Sequence, residues 1–198
     1  MKKIPTLFER TFDENHKLTG ITDTVTEGME WVLEGEGRAT IKWDGAACAI
    51  IQGKLYKRYD AKDGKKPPKG AIPCQAEPDP VTGHWPHWLA VDANKSEDRW
   101  LAAAFWHTLD NGEALTDGTY EAVGKHFNGN PYGYALDRLI PHGAHKVMVE
   151  RSFEGIKRFL TENDVEGLVF WKEGEPMCKI KRRDFGLAWP IVNAVRGG

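Results

Sequence analysis

The stretch Glu166-Gly167-Leu168-Val169-Phe170-Trp171-Lys172, then Glu173-Gly174-Glu175, then Pro176-Met177-Cys178-Lys179-Ile180-Lys181 decides the fold class. Two extended runs rich in apolar and aromatic residues, joined by a Gly-containing turn, predict a hairpin. Alternation places Lys179 and Lys181 on one face and Cys178 and Ile180 on the other. Two like charges side by side on a sheet face are unfavourable unless an anion lies over them. A polyphosphate meets that need; an exposed edge strand blunted by lysines is the plainer reading.

Working outward, Ser152 suits an N-cap for a helix whose apolar face is Phe153, Ile156, Phe159 and Leu160. His145 to Glu150 reads as a short strand with Val147 and Val149 on one face. Gly118 to Gly124 reads as another strand. Residues 96–110 read as a helix capped by Ser96, with Glu97 and Asp98 in its first turn. Its apolar stripe is Trp100, Leu101, Ala104, Phe105 and Leu109, and Asn111-Gly112 ends it. Residues 38–51 read as a strand, a turn at Gly45 and a return strand, and Leu55, Tyr56 and Tyr59 continue in extended style. Residues 61–90 hold six Pro and three Gly, which predicts a long loop, functional or mobile. Strands first, helices interspersed and a closing hairpin predict an α+β fold with mostly antiparallel sheets and flanking helices, in a single domain over 1–198.

Composition narrows the function. Lys plus Arg is 27 and Asp plus Glu is 29, a net charge of −2, which excludes polybasic binding of nucleic acid by bulk charge. A hydrophobic content of 40% with 8 Trp is enough for a core and excludes general disorder. No apolar run reaches membrane-spanning length, and none of signal-peptide length follows Met-Lys-Lys-Ile-Pro-Thr. Three cysteines at irregular spacing make no disulfide framework. The expectation is a soluble, cytoplasmic protein without a membrane partner.

Four features carry chemistry. Lys42-Trp43-Asp44-Gly45 puts a lysine in an apolar strand, where a purely solvated lysine is uncomfortable. Strand alternation puts Thr40, Lys42 and Asp44 on one face. Lys179 and Lys181 form the second feature. Glu121 and Glu166 are isolated acids on apolar strands; with Asp44 they supply the hard oxygens that Mg²⁺ prefers, directly or through its waters. Each is equally readable as a cap or salt-bridge residue. From Lys54 to Lys69, seven basic residues stand against Asp60 and Asp63, a local net charge of +5. Lys181-Arg182-Arg183 adds a second basic cluster. A zinc site from Cys74, His84, His87 and Cys178 is a further possibility, though its spacing is irregular. The other histidines (His16, His107, His126, His142 and His145) read as surface or polar-core residues.

In this order the features resemble the covalent nucleotidyltransferase superfamily of ATP-dependent RNA and DNA ligases and capping guanylyltransferases. Lys42-Trp43-Asp44-Gly45 matches its motif I, and Tyr56-Lys57-Arg58-Tyr59 resembles the next motif. Tyr120-Glu121-Ala122-Val123-Gly124, followed by Asn130-Pro131-Tyr132-Gly133, is similar to motif III. Glu166-Gly167-Leu168-Val169-Phe170 matches motif IV and Lys179-Ile180-Lys181 motif V. The chain looks most like a minimal RNA ligase. Two features depart from the family. Lys146-Val147-Met148-Val149-Glu150 is aliphatic where motif IIIa offers an aromatic, so Val147, Val149 or a nearby aromatic is expected against the purine. Only 13 residues follow Phe185, so no C-terminal oligonucleotide-binding barrel is expected.

The resemblance implies an ATP-grasp-like ligase domain in which Lys42 attacks the α-phosphate of ATP to form lysyl-AMP. The AMP then passes to an RNA 5′-phosphate, and a 3′-hydroxyl seals the break. It implies nucleotide contacts from Ile41, Lys42, Asp44, Arg58, Glu121, Glu166, Lys179 and Lys181. Mg²⁺, for which Mn²⁺ can substitute, is expected on Asp44, Glu121 and Glu166. RNA is expected on Lys54, Lys57, Lys62, Lys65, Lys66, Arg182 and Arg183. The attack needs the neutral amine, which a free lysine offers in only ~0.04% of molecules at pH 7. The competing functions are a minimal DNA ligase, a guanylyltransferase and a non-catalytic RNA-binding protein of the same fold.

Overall fold

The structure, a computed structural model, describes residues 2–191 apart from 16, 63 and 81. In chain order the elements are β1 (Phe8–Phe12), β2 (Leu18–Val25), β3 (Arg38–Lys42), β4 (Ala46–Ile51), β5 (Lys54–Ala61), β6 (Ile72–Pro73) and β7 (Trp85–Ala90). Then follow α1 (Arg99–Asp110), β8 (Gly118–Val123), β9 (Arg138–Pro141), β10 (Lys146–Val147), α2 (Phe153–Glu162), β11 (Gly167–Lys172) and β12 (Glu175–Lys181). The architecture is α+β, and all of these strand pairings are antiparallel. Among the described residues no sheet closes into a barrel. No helix there is long and apolar enough to cross a membrane. The residues group into two compact units, one holding Asp44–His142 and the other Ile4–Trp43 with the chain from Gly143 onward.

The second of these units contains the β1-β2 pair and a four-stranded sheet in the order β10-β3-β11-β12. The β11-β12 hairpin forms as its sequence predicts. Glu173 and Gly174 both take positive φ, 53° and 84°, the conformation of a two-residue turn that suits the twist of antiparallel strands. Leu168, Phe170, Cys178 and Ile180 are fully buried on one face. They join Ala39, Phe8, Val32 and the helix residues Ile156 and Leu160 in one core. Helix α2 starts where Ser152 accepts a hydrogen bond from the Gly155 amide at 3.0 Å. Val147 and Val149 pack half-buried against this core, so their side chains are largely committed to it. Strand β10 is only two residues long, shorter than the expected 145–150.

The Asp44–His142 unit holds a six-stranded sheet in the order β6-β7-β5-β4-β8-β9. Cys48, Ile50, Tyr120, Ala122 and Leu139 form its core with Leu101 and Ala104 of α1. Three expectations are corrected. Strands β3 and β4 do not form a hairpin about Gly45: β3 pairs with β10 and β11, and β4 with β5 and β8. The stretch 61–90 is not loop throughout, because Trp85–Ala90 pairs with β5 along six registered positions. Ser96 does not cap α1; the N-cap is Asp98, which makes no side-chain cap bond. Its carboxylate instead accepts from Lys57 Nζ and the Asp92 amide.

Candidate active site

Lys42 ends β3 opposite Gly167 of β11, and Gly167 lies opposite Lys181 of β12. Residues in register across a sheet share a face, so Lys42 and Lys181 flank a glycine that has no side chain to fill the gap. A Cβ on Gly167 would lie 2.1 Å from the Ile180 carbonyl oxygen, so the strands reach this spacing only with glycine. Glu166, one residue earlier, is 6% exposed. Its Oε2 accepts from Lys42 Nζ at 2.5 Å and its Oε1 from Lys181 Nζ at 2.7 Å. The anion that Lys42 and Lys181 share is thus a protein carboxylate. Lys179, in the adjacent row opposite Val169, has no carboxylate partner among the described residues. Burial, followed by the charges of Lys181, Lys42 and Arg10, pushes its pKa down to about 8 against the opposing pull of Glu166. Ile41, by contrast, packs against the core and donates its amide to the His145 carbonyl.

In the other unit, β8 carries Glu121 opposite Ala47 and Ile140. Its neighbours Tyr120 and Ala122 turn into the core. Glu121 Oε1 accepts the Gly45 amide at 3.0 Å, and Oε2 lies 2.9 Å from His142 Nε2. His142 Nδ1 sits 3.0 Å from Thr119 Oγ1. Asp44 lies beyond the end of β3, so the alternation that groups it with Thr40 and Lys42 does not extend to it. The Tyr132 hydroxyl accepts its amide at 2.6 Å, and Asn128 Nδ2 donates to its Oδ1 at 2.7 Å and to the Gly45 carbonyl at 2.9 Å. The loop after β8 thereby clasps the Asp44-Gly45 backbone. Gly45 is obligatory here, because a Cβ would lie 2.0 Å from the Ala122 carbonyl oxygen.

Arg58 donates to Asp60 at 3.3 Å and lines a pocket of about 460 Å³. Of the residues expected to grip RNA, Lys54, Lys62, Lys65 and Lys66 are exposed; Asp63 within that stretch, like His16, lies outside the described residues. Lys57 is instead a structural cation, 2.5 Å from Asp98 and 2.8 Å from Glu97. Burial opposes its charge, but the two carboxylates outweigh that and hold its pKa above the ordinary lysine value.

Arg182 is a second correction. It is 6% exposed and donates to the carbonyls of Leu160, Asn163 and Ala188. It satisfies the open C-terminal carbonyls of α2, so its side chain is not available to a phosphate. Arg182→Met is expected to cost about 2–3 kcal/mol, or roughly 4–12 °C in Tm for a chain of this size. The exposed Arg183 replaced in the same way should shift stability by no more than about 0.5 kcal/mol. Thermal melts of the two variants check both.

Among the described residues no three His, Cys, Asp or Glu side chains are grouped to hold a metal ion. Asp44, Glu121 and Glu166, where the metal was expected, each accept from a protein donor. The zinc reading fails on the same ground. Cys178 is buried in the core, where burial pushes its pKa up to about 12. His87 is buried with Nδ1 2.8 Å from the Trp85 carbonyl. Cys48 is also buried, and burial followed by the charge of Glu121 pushes its thiol far up. Cys74 is the partly exposed thiol of the three.

Sequence reasoning missed His142, Asn128 and His126 as parts of the constellation. No local pattern marks them, since each meets its partner across a β-ladder or a loop. Tyr132 lay in a matched motif without an assigned role.

A sequence model of the RNA ligase 1 family matches residues 108–197. RNA ligase 1 of Pongo abelii is 30% identical over 171 residues, covering 66% of this chain and 51% of that protein. RNA ligase 1 of Rattus norvegicus is 30% identical over 144 residues, covering 55% of this chain and 43% of its own. The protein of that name from Danio rerio is 27% identical over 141 residues, 56% of this chain and 43% of the relative. The chain spans about half the length of the curated relatives it matches. The matched segment includes Glu121, Glu166, Lys179 and Lys181. These matches make the chain similar to RNA ligase 1 over part of its length, in a segment that carries the last of the ordered motifs.

Proposed function

We propose that this chain performs the nucleotidyl-transfer chemistry of an ATP-dependent RNA ligase, joining 5′-phosphate and 3′-hydroxyl ends of RNA. The observation that supports this best is the meeting of Lys42 and Lys181 on the single carboxylate of Glu166. A nucleophilic amine needs a neighbour that takes its proton and cations that receive the leaving group. Lys42 Nζ attacks the α-phosphorus of ATP. The N–P bond forms as the bond to the bridging oxygen breaks, and pyrophosphate leaves with the electron pair. Glu166 Oε2 is the acceptor nearest the amine and holds a proton that it gives up. Lys179 and Lys181 stabilise charge on the phosphates. An oxygen of the RNA 5′-phosphate then attacks the AMP phosphorus and frees Lys42. Finally the 3′-hydroxyl attacks the activated 5′-phosphorus and AMP departs.

Within the Asp44–His142 unit, Tyr132, Asn128 and His142 hold the Asp44-Gly45 turn and Glu121 in place. Magnesium, or manganese in its stead, supplies charge neutralisation on the phosphates it arrives with. The exposed Lys54, Lys62, Lys65, Lys66 and Arg183 track RNA phosphates, a contribution that falls with salt. A reducing cytoplasm suits its three unpaired thiols.

The test uses protein first stripped of bound AMP with pyrophosphate. It is incubated with Mg²⁺ and α-labelled ATP, GTP or NAD in parallel and run on a denaturing gel. Label from ATP, stable to alkali and lost in acid as an N–P bond is, is the expected result. Label from GTP alone moves the reading to guanylyl transfer, and none from any overturns the enzyme reading.

Lys179 sets a pH dependence. A bound polyphosphate favours its charged form, so affinity should be level below the pKa of about 8 and fall above it. The fall is at most about tenfold per pH unit for a single proton. Calorimetric titration with pyrophosphate checks this, and Lys179→Met should remove the limb. Between about 8 and the ordinary value of 10.5 the unfolded chain binds more protons than the folded one. Stability should therefore rise with pH across that window.

A further inference from the structure

One ion pair in the unit of the four-stranded sheet has no part in the chemistry above. Asp184 is 2% exposed. Its Oδ1 accepts from Arg10 Nε at 3.2 Å and Nη2 at 2.8 Å, and its Oδ2 accepts the Lys181 amide at 2.8 Å. One carboxylate thus ties the Arg10 guanidinium of β1 to the backbone that carries Lys181. The chain entering β1 runs along β12: the Lys179 amide donates to the Pro5 carbonyl, and the Leu7 amide to the Lys179 carbonyl. After burial, the charges of Lys181, Lys42 and Arg10 are what push the Lys179 pKa down, so the four cations share one electrostatic neighbourhood. Arg10 turns only one edge of its fork to Asp184. Its Nη1 has no partner among the described residues, and the side chain is 34% exposed.

Arg10, Lys42, Lys179 and Lys181 face the two carboxylates Glu166 and Asp184, a local excess of two positive charges. An open guanidinium edge beside an ammonium without a carboxylate partner is a donor set for phosphate oxygens. The order of the steps says which phosphates arrive there. Displacement at phosphorus places the entering and leaving groups roughly in line. In the chemistry proposed above, pyrophosphate leaves the α-phosphorus on the side opposite Lys42. In the next step Lys42 is itself the leaving group, so the RNA 5′-phosphate enters on the side that pyrophosphate vacated. We infer that Arg10 and Lys179 form one phosphate seat used twice, first by the leaving pyrophosphate and then by the RNA 5′-phosphate. The inference rests on the RNA ligase reading. At the first occupancy the N–P bond forms and the P–O bond to pyrophosphate breaks, with the electron pair leaving on pyrophosphate. At the second, an oxygen of the 5′-phosphate bonds the same phosphorus and the N–P bond breaks. Its electron pair returns to Lys42 Nζ, which takes up a proton from solvent. A single seat makes the two ligands mutually exclusive, so the RNA end is admitted only after pyrophosphate has gone.

The test uses protein stripped of AMP and then freed of pyrophosphate, without metal or ATP, so that nothing turns over. Two 3′-labelled oligoribonucleotides that differ only in a 5′-phosphate or a 5′-hydroxyl are titrated by fluorescence anisotropy at constant ionic strength. Wild type should bind the 5′-phosphate strand about tenfold more tightly, the scale of one or two charge-assisted hydrogen bonds. Saturating pyrophosphate should bring that preference to within about twofold and leave the 5′-hydroxyl strand unmoved within about twofold. Arg10→Gln should weaken pyrophosphate binding, measured by calorimetry, by about tenfold and bring the strand preference to within about twofold. Arg10→Lys keeps a cation for Asp184 and should hold Tm within a few degrees of wild type, but it lacks the second edge and should not recover the preference. Absence of any preference in wild type overturns the assignment. Simultaneous binding of pyrophosphate and the 5′-phosphate strand overturns the shared seat, as does a loss confined to one of the two ligands in Arg10→Gln. A preference that follows Tm across both variants makes Arg10 structural and overturns its place in the seat. Absence of protein labelling from ATP with the pyrophosphate competition intact counts against the ligase reading and leaves the seat supported.

Discussion

Lys42→Arg is expected to lose label transfer from ATP by at least about a thousandfold while keeping its melting temperature within a few degrees. The substitution retains a cation beside Glu166, so the buried carboxylate is not left without a partner, the change that makes broken ion pairs costly. What it removes is the nucleophile. A guanidinium is not deprotonated in proteins, whereas a lysine amine can be. Charge, approximate length and ion pair are held, and only the lone pair is lost. The same variant given pre-adenylylated RNA should seal it at an appreciable fraction of the wild-type rate, because that step bypasses the amine. Label appearing at wild-type levels on Lys42→Arg would assign the nucleophile elsewhere.

Gly167→Ala is expected to be the most damaging single methyl in the chain from Gly143 onward. The added carbon would sit 2.1 Å from the Ile180 carbonyl oxygen and 3.0 Å from the Lys181 Cα. Both obstacles are backbone, so no rotamer change relieves the clash. Strands β11 and β12 must separate or shift, and every route loses ladder hydrogen bonds or core contacts of Leu168 and Ile180. A cost of about 3 kcal/mol or more follows for such overpacking, or roughly 6–12 °C in Tm. The shift also displaces Lys181 from Glu166, so label transfer should fall even in molecules that remain folded. A thermal melt with a labelling assay at low temperature separates the two losses. A variant that melts like wild type would show that the β11-β12 spacing is softer than the register indicates.

The legible parts of this protein are those whose information is local. The β11-β12 hairpin announces itself through alternation about Glu173-Gly174, and α2 through Ser152 and its apolar face. Motif order singled out Lys42, Glu166 and Lys181, which the structure brings together on one carboxylate. The destination of β4 was not legible, because sheet membership is decided by partners 70 or so residues away, as in the Ala47–Glu121 register. Strand β7 was concealed by Pro86, which demotes a run to loop on sequence grounds. It is tolerated because β6 pairs only with His87 and Trp88, leaving Pro86 beside a very short edge strand. Arg182 read as surface charge, since nothing near it in sequence reveals that it caps α2. His142 and His126 were passed over for a similar reason. Their carboxylate partners lie 21 and 11 residues away.

The burial of Cys48 and Cys178 has a practical side. A thiol reacts as its thiolate, and both of these are held protonated in apolar surroundings. Three cysteines should therefore count as one in the native state, with Cys74 taking up the first equivalent of an alkylating dye. Cys74 follows β6 immediately and donates its amide to the Pro86 carbonyl at 2.9 Å. A fluorophore attached there, with no cysteine removed, would report on the outer edge of the six-stranded sheet.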